Sequence, residues 1–151
     1  MTHLVYGELT YNGVKELLKN ININESDTFV DVGSGYGKLL ETINHIYGCK
    51  VIGIEIDKHR YEISKEIIQI KNKNKLELFH GNFMDLHRVV KSGNIVFSNC
   101  VAFPPEWVEI MWNMCYKTFI HNNKRWSRQG TKLELEVTYW PTKHPYYILE
   151  K

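Results

Sequence analysis

At 151 residues, with 43% hydrophobic and 24% charged side chains, the chain is long enough to bury one core and too short for two domains. A net charge of +2 is too mild to demand a nucleic-acid partner, and no window approaches the length and apolarity of a membrane span. Cys49, Cys100 and Cys115 are odd in number, far apart and without CxxC spacing, which argues against a disulfide framework and against a zinc site and leaves three reduced, buried thiols.

The opening MTHLVYGELTYNG has no basic patch ahead of an apolar run, so no secretory leader and an intracellular protein are expected. Val14 to Leu18 continue as a short amphipathic helix, punctuated by NININES and Asp27. Thr28 to Val32 (TFVDV) is a β-branched run stopped by Gly33, a first strand, and Tyr36 to Tyr47 then carries Leu39, Leu40, Ile43 and Ile46 at helical spacing. Val51 to Ile56 predicts a second strand, and Lys58 to Ile70 a helix that turns Tyr61, Ile63, Ile67 and Ile70 to one side. Leu76 to Phe79 is a third strand, Met84 to Val90 at most a short helix, and Asn94 to Ser98 a fourth strand. Pro104 and Pro105 suit the first turn of a helix, where a missing N–H costs nothing, and that helix runs from Glu106 to about Tyr116. From Thr131 the period becomes two: KLELEVTYW and YYILEK, separated by PTKHP, predict an antiparallel pair at the sheet edge. Strands alternating with helices imply an α/β fold with a mainly parallel sheet and right-handed crossovers.

The strongest local signal is FVDVGSGYGK, a strand that turns through glycines into a helix. Gly33, Ser34 and Gly35 form a tight turn whose N–H groups are expected to approach a ligand at the helix N-terminus. Roughly 20 residues on, Glu55 ends the second strand, where a carboxylate can accept both hydroxyls of a ribose. A nicotinamide dinucleotide is one candidate, but its site wants GxGxxG, and Lys38 stands where the last glycine would permit close packing. Asp31, on the strand just before the glycines, would repel a phosphate and suits an amino group. S-adenosylmethionine, cationic and free of phosphate, fits better. In HGNF, Asn82 can accept from an adenine amino group and Phe83 can stack on the base, or the pair can cap a loop and fill the core.

With VYGELT ahead of FVDVGSGYGK, then GIE, GNF, VFSN and VAFPPE in order, the chain resembles the disruptor-of-telomeric-silencing (DOT) family of histone lysine methyltransferases, which use the class I S-adenosylmethionine-dependent methyltransferase (Rossmann-like) fold rather than a SET domain. The resemblance runs from Val5 to Phe103 and returns at VTYWPTKHPYY. It implies that Tyr6, Gly7 and Glu8 fold over the methionine part of the cofactor, that Asp31, Gly33, Ser34, Gly35 and Lys38 surround it, and that Glu55 holds the ribose and Asn82 with Phe83 the adenine. It further implies that IVFSNCVAFPPE floors a narrow channel for the substrate lysine: Asn99 holds the cofactor and positions the amine, Phe97 and Phe103 line the channel, and Tyr139 and Tyr146 close its other side. Without the resemblance, those tyrosines read as packed aromatics of a strand. Asn82 replaces a usual aspartate and Lys38 a usual glutamine, while Cys100 and Val101 replace an asparagine and a phenylalanine, which implies a wider, less aromatic channel.

The same resemblance implies a nucleosomal substrate, histone H3, modified on a lysine of its globular core surface in the nucleus. No metal and no membrane enter that reading. Compactness and an Asn, Lys and Ile bias suggest a minimal, viral member, acting in the host nucleus or a viral factory, with one strand reduced to KTFIH. In HNNKRWSRQGTK, the side chains of Lys124, Arg125, Arg128 and Lys132 around Trp126 are candidates to contact nucleosomal DNA or the histone acidic patch, or form a solvated loop. Two competing readings stand beside this one: a methyltransferase of other protein lysines or of nucleic acid, and a histone-binding module without turnover. The nucleic-acid reading expects a polar residue directly before the two prolines, where Phe103 stands.

Overall fold

The computed structural model describes residues 9–71, 74–128, 130–138 and 141–151. Strand β1 (Thr28–Val32) is central, paired in parallel with β2 (Lys50–Glu55) on one side and β4 (Ile95–Ser98) on the other. Strand β3 (Leu76–His80) extends the sheet beyond β2, and β5 (Thr118–His121) beyond β4, both in parallel. Strand β7 (His144–Glu150) then joins β5 antiparallel, and β6 (Thr131–Leu135) closes the edge against β7, so the order is β3-β2-β1-β4-β5-β7-β6. The helices are α1 (Tyr11–Lys19), α2 (Lys38–Tyr47), α3 (Lys58–Lys71), α4 (His87–Lys91) and α5 (Pro105–Met114), with a 3-10 turn at Phe83–Asp85.

The two-residue period of the strands sorts the core into two layers. Phe29, Phe97, Ile120 and Tyr146 point to one face, with Leu17, Leu18, Leu40 and Ile43 of α1 and α2. Val30, Val96 and Phe119 point to the other, with Val108 and Met111 of α5 and with Trp126. Rings stack through the first layer, Phe29 on Phe97 at 6.1 Å and Phe97 on Tyr146 at 5.8 Å between centroids.

KTFIH forms a short strand, Thr118–His121, buried between β4 and β7. One expectation changes in part. Helix α3 buries Ser64 alone, and Ile70 is 82% exposed. Ser64 and Ile68 lie nearest Gly37, Tyr61, Ile63 and Ile67 are half-buried as the spacing expects, and of that side only Ile70 turns to solvent.

Helix α1 starts at Thr10, whose hydroxyl accepts the Gly13 N–H at 3.1 Å and donates to Glu136 at 2.6 Å. An antiparallel bridge between Leu9 and Val137 and a bond from Thr10 N to Glu136 O fix the segment entering α1 beside the hairpin. A Cβ at Gly13 would lie 2.3 Å from the Glu136 carbonyl oxygen. Gly13→Ala is therefore expected to destabilise the protein by about 1–3 kcal/mol in urea unfolding, against the gain that alanine brings to an open helix. A stabilised variant would show that the helix and hairpin do not meet this closely.

Candidate functional site

Two cavities open at the carboxyl ends of the parallel strands, where α/β sheets bind ligands. The smaller, about 60 Å³, is lined by Asp31, Gly33, Ser34, Gly35, Lys38 and Asn99, beneath Leu9 and Tyr11. The larger, about 570 Å³, is lined by Gly33, Glu55, Asn82, Phe83, Asn99 and Phe103, with Val101 and Trp107 at its wall. Gly33 and Asn99 belong to both, so they stand where the cavities meet.

The glycine turn departs from its expected use. Gly33 and Ser34 donate their N–H groups to the Ile54 carbonyl at 2.7 and 3.0 Å, Gly35 donates to Glu55 Oε1 at 2.7 Å, and Gly37 donates to the Ser34 carbonyl at 2.9 Å. These four donors turn into the protein and are not offered to a ligand. Gly33 has φ +88°, and a Cβ there would meet no protein atom within 4 Å. Glycine is needed for that backbone, and the space it leaves faces the cavities. Ser34 Oγ is buried without a partner among the described residues.

Glu55 is buried, and its second oxygen accepts the Asp57 N–H at 2.9 Å. Each carboxylate oxygen keeps a second acceptor position, so Glu55 braces the turn and can still face a hydroxyl. Asn82 caps the 3-10 turn, its Oδ1 accepting the Met84 N–H at 2.9 Å. Phe83 lies near parallel to Phe103, with centroids 6.2 Å apart and planes at 8°.

Asn99 follows β4, on the face that carries Phe97 and Tyr146. Its Oδ1 accepts from the Tyr146 hydroxyl and, at 3.5 Å, from Asn122 Nδ2. The amide therefore presents its Nδ2 donors to the cavities. Phe97 lines neither cavity: it is fully buried and supports the Tyr146 ring from behind, because strand alternation turns it into the first core layer. Cys100 also faces away, into the second layer, so of the two departures noted there only Val101 reaches the cavity wall. Tyr6, Gly7, Glu8 and Tyr139 lie outside the described residues.

The basic loop after β5 is more engaged than its sequence suggests. Trp126 is buried, and its Nε1 donates to Glu109 at 3.0 Å; Arg128 pairs with the same carboxylate at 3.4 Å. Lys132 pairs with Glu134 at 3.1 Å, while Arg125 donates to the Phe103 carbonyl at 2.6 Å. Asn122, Asn123 and Trp107 were not singled out from the sequence. Trp107 had a usable signal, since a helix starting at two prolines sets its first turn against the preceding loop.

A sheet in which the last strand inserts antiparallel beside the fifth, with ligand cavities beyond the parallel strands, is that of the class I S-adenosylmethionine-dependent methyltransferases. The fold recurs in the crystal structure of an RNA methyltransferase from Salinibacter ruber in complex with S-adenosyl-L-homocysteine, at a TM-score of 0.77 and 16% identity over 95% of this chain and 92% of that one. Within that class the chain belongs to the family described as Histone methylation protein DOT1, whose profile matches residues 1–118. A protein of Dictyostelium discoideum named histone-lysine N-methyltransferase, H3 lysine-79 specific, is 30% identical over 149 residues, covering 93% of this chain and 8% of the relative. A Drosophila melanogaster protein of the same name is 34% identical over 113 residues, 67% of this chain and 6% of the relative. The chain thus spans a small part of either relative's length.

Burial pushes the Cys100 thiol from the ordinary 9.0 up to about 12, and raises Cys49 and Cys115 as well. Above pH 9 the unfolded chain ionises these thiols while the fold keeps Cys100 neutral, so stability should fall as pH rises from about 9 towards 12. At neutral pH all three thiols should resist alkylation until denaturant is added, read by mass spectrometry. Rapid native labelling of Cys100 would contradict its burial.

Proposed function

We propose that the chain is an S-adenosylmethionine-dependent lysine N-methyltransferase acting on the globular surface of histone H3 in nucleosomes, in the nucleus. The observation that carries the reading is the place of Asn99, held by the Tyr146 hydroxyl where the two cavities join. Family membership and the names of the relatives support the histone acceptor.

The residues fit the cofactor. The space beside Gly33 is clear of protein atoms, and the inward-turned N–H groups suit a ligand without phosphate. Asp31 and Lys38 would take the amino and carboxylate ends, Glu55 the ribose, and Asn82 with Phe83 the adenine. S-adenosylmethionine, when bound, supplies a methyl group on a sulfonium.

The acceptor lysine must arrive as a neutral amine with its lone pair free, although an exposed lysine of pKa about 10.4 is protonated at neutral pH. An apolar wall of Val101, Phe103 and Trp107 disfavours the ammonium and so lowers that pKa, and it limits the angles of approach. Asn99 faces the cavities as a donor. Aimed at the amine it would compete for the lone pair, so it would instead hold the cofactor through an acceptor oxygen. No general base is assigned: Glu55 is engaged by two N–H groups, and desolvation with positioning is sufficient. Among the described residues no cluster of His, Cys, Asp or Glu is arranged for a metal, and no helix is long and apolar enough to cross a membrane. Lys124, Arg128 and Lys132 are the exposed cations offered to nucleosomal DNA.

Labelled methyl transfer to nucleosomes, beside free octamer and nucleic acid, tests the reading, with mass spectrometry locating the mark. The expected result is a mark on the H3 core surface, reduced about 100-fold by Asn99→Ala and about tenfold by Tyr146→Phe. Cofactor binding without transfer to any histone would replace it with a binding role, and a mark on nucleic acid with another acceptor. Replacing Lys124, Arg128 and Lys132 together by alanine should weaken nucleosome binding and flatten its salt dependence; binding unchanged at every salt concentration would remove this loop from the interface.

A further inference from the structure

Asn123 is fully buried, and its side chain is engaged at every position. Its Nδ2 donates to the carbonyls of Cys100 at 2.8 Å and Phe103 at 2.9 Å, while its Oδ1 accepts the N–H groups of Arg125 at 3.0 Å and Trp126 at 3.1 Å. Its own N–H donates to Nδ1 of buried His121 at 3.0 Å. Next to it, Asn122 Oδ1 accepts the Cys100 N–H at 2.7 Å. From the surface, Arg125 Nη2 reaches the same Phe103 carbonyl that Asn123 holds, at 2.6 Å.

These bonds converge on one turn. Between β4 and α5 the Phe103 N–H closes on the Cys100 carbonyl at 3.0 Å, and both ends of that turn are gripped by side chains from the loop after β5. The turn carries Val101, Ala102 and Phe103 into the wall of the larger cavity. Val101 is 43% exposed and Ala102 is exposed too, so those two side chains do not hold the wall, which rests on these bonds and on the Phe103 ring against Phe83 and Trp107.

We propose that Asn123 and Arg125 are positioning residues which, through the Phe103 carbonyl, set the wall of the cavity; this rests on the methyltransferase reading above. Two donors serve one oxygen, a neutral amide locked in the interior and a guanidinium at the surface. The assignment gives Arg125 a task inside the site, unlike its exposed basic neighbours. Because Arg125 is exposed, its grip can be removed without opening the core, whereas replacing Asn123 strips four bonds at once.

The test compares the unaltered protein with Arg125→Ala, Arg125→Lys and Lys91→Ala, the last removing an equal charge from α4. Amide hydrogen exchange over residues 99–104 and calorimetric binding of S-adenosylhomocysteine are read together, at low and high salt, with melting temperature as a check on the fold. Arg125→Ala is expected to speed exchange in that turn and to weaken binding about tenfold at both salt concentrations, with little change in melting temperature. Arg125→Lys should recover part of the loss, and Lys91→Ala should match the unaltered protein. Unchanged exchange and binding in Arg125→Ala would overturn the proposal, as would a loss that disappears at high salt. If the unaltered protein binds no S-adenosylhomocysteine, the methyltransferase reading falls, and exchange in the turn still decides whether Arg125 holds it.

Discussion

The hydrogen bond from the Tyr146 hydroxyl to Asn99 joins the last strand of the sheet to the end of the fourth, and the site is built around it. For that bond to form, β7 must enter the sheet beside β5, so that Tyr146 comes within reach of the residue that ends β4. The ring behind it must also be held. Phe29 and Phe97 stack in the first core layer and seat Tyr146, so burial of apolar area fixes where a single polar atom points. A buried hydroxyl without an acceptor would be costly, which couples the hairpin to the cavity in both directions.

A second constraint acts on the other side of the cavities. The N–H groups of the glycine turn close back on Ile54 and Glu55, so the first two strands are locked at their carboxyl ends and the turn is rigid without a ligand. In a phosphate-binding loop such donors would face outward. Here the turn leaves space beside Gly33, and the polar side chains lining the smaller cavity include Asp31, Lys38 and Asn99. The larger cavity is finished by residues held from outside it, since the Cys100 to Phe103 turn is gripped by the loop after β5.

Much of this could be read along the chain. Alternation of β-branched runs with helical periods placed the first four of the five parallel strands to within two residues, and the change to period two from Thr131 marked the hairpin. Asp31, Gly33, Glu55 and Asn82 stand at strand ends, Lys38 opens α2 where a dinucleotide loop would need glycine, Asn99 follows from the resemblance, and each lines a cavity. Phe97, which the resemblance puts on the channel wall, is instead fully buried behind Tyr146, because strand alternation turns it into the first core layer. Helix α3 departs from its expected side only at Ile70, which is exposed while Tyr61, Ile63 and Ile67 are half-buried.

Local sequence determined which segments become strands and helices, where the glycine turn falls and which polar side chains stand at strand ends, because backbone sterics and hydrophobic period act over a few neighbours. Tertiary structure alone decided that the turn's donors point inward, that Asn122 and Asn123 grip a turn about 20 residues before them, and that the exposed Arg125 closes on a backbone carbonyl. Those outcomes depend on which buried polar groups find partners once the strands are side by side, and a hydrogen bond between residues distant in sequence leaves no periodic trace in it.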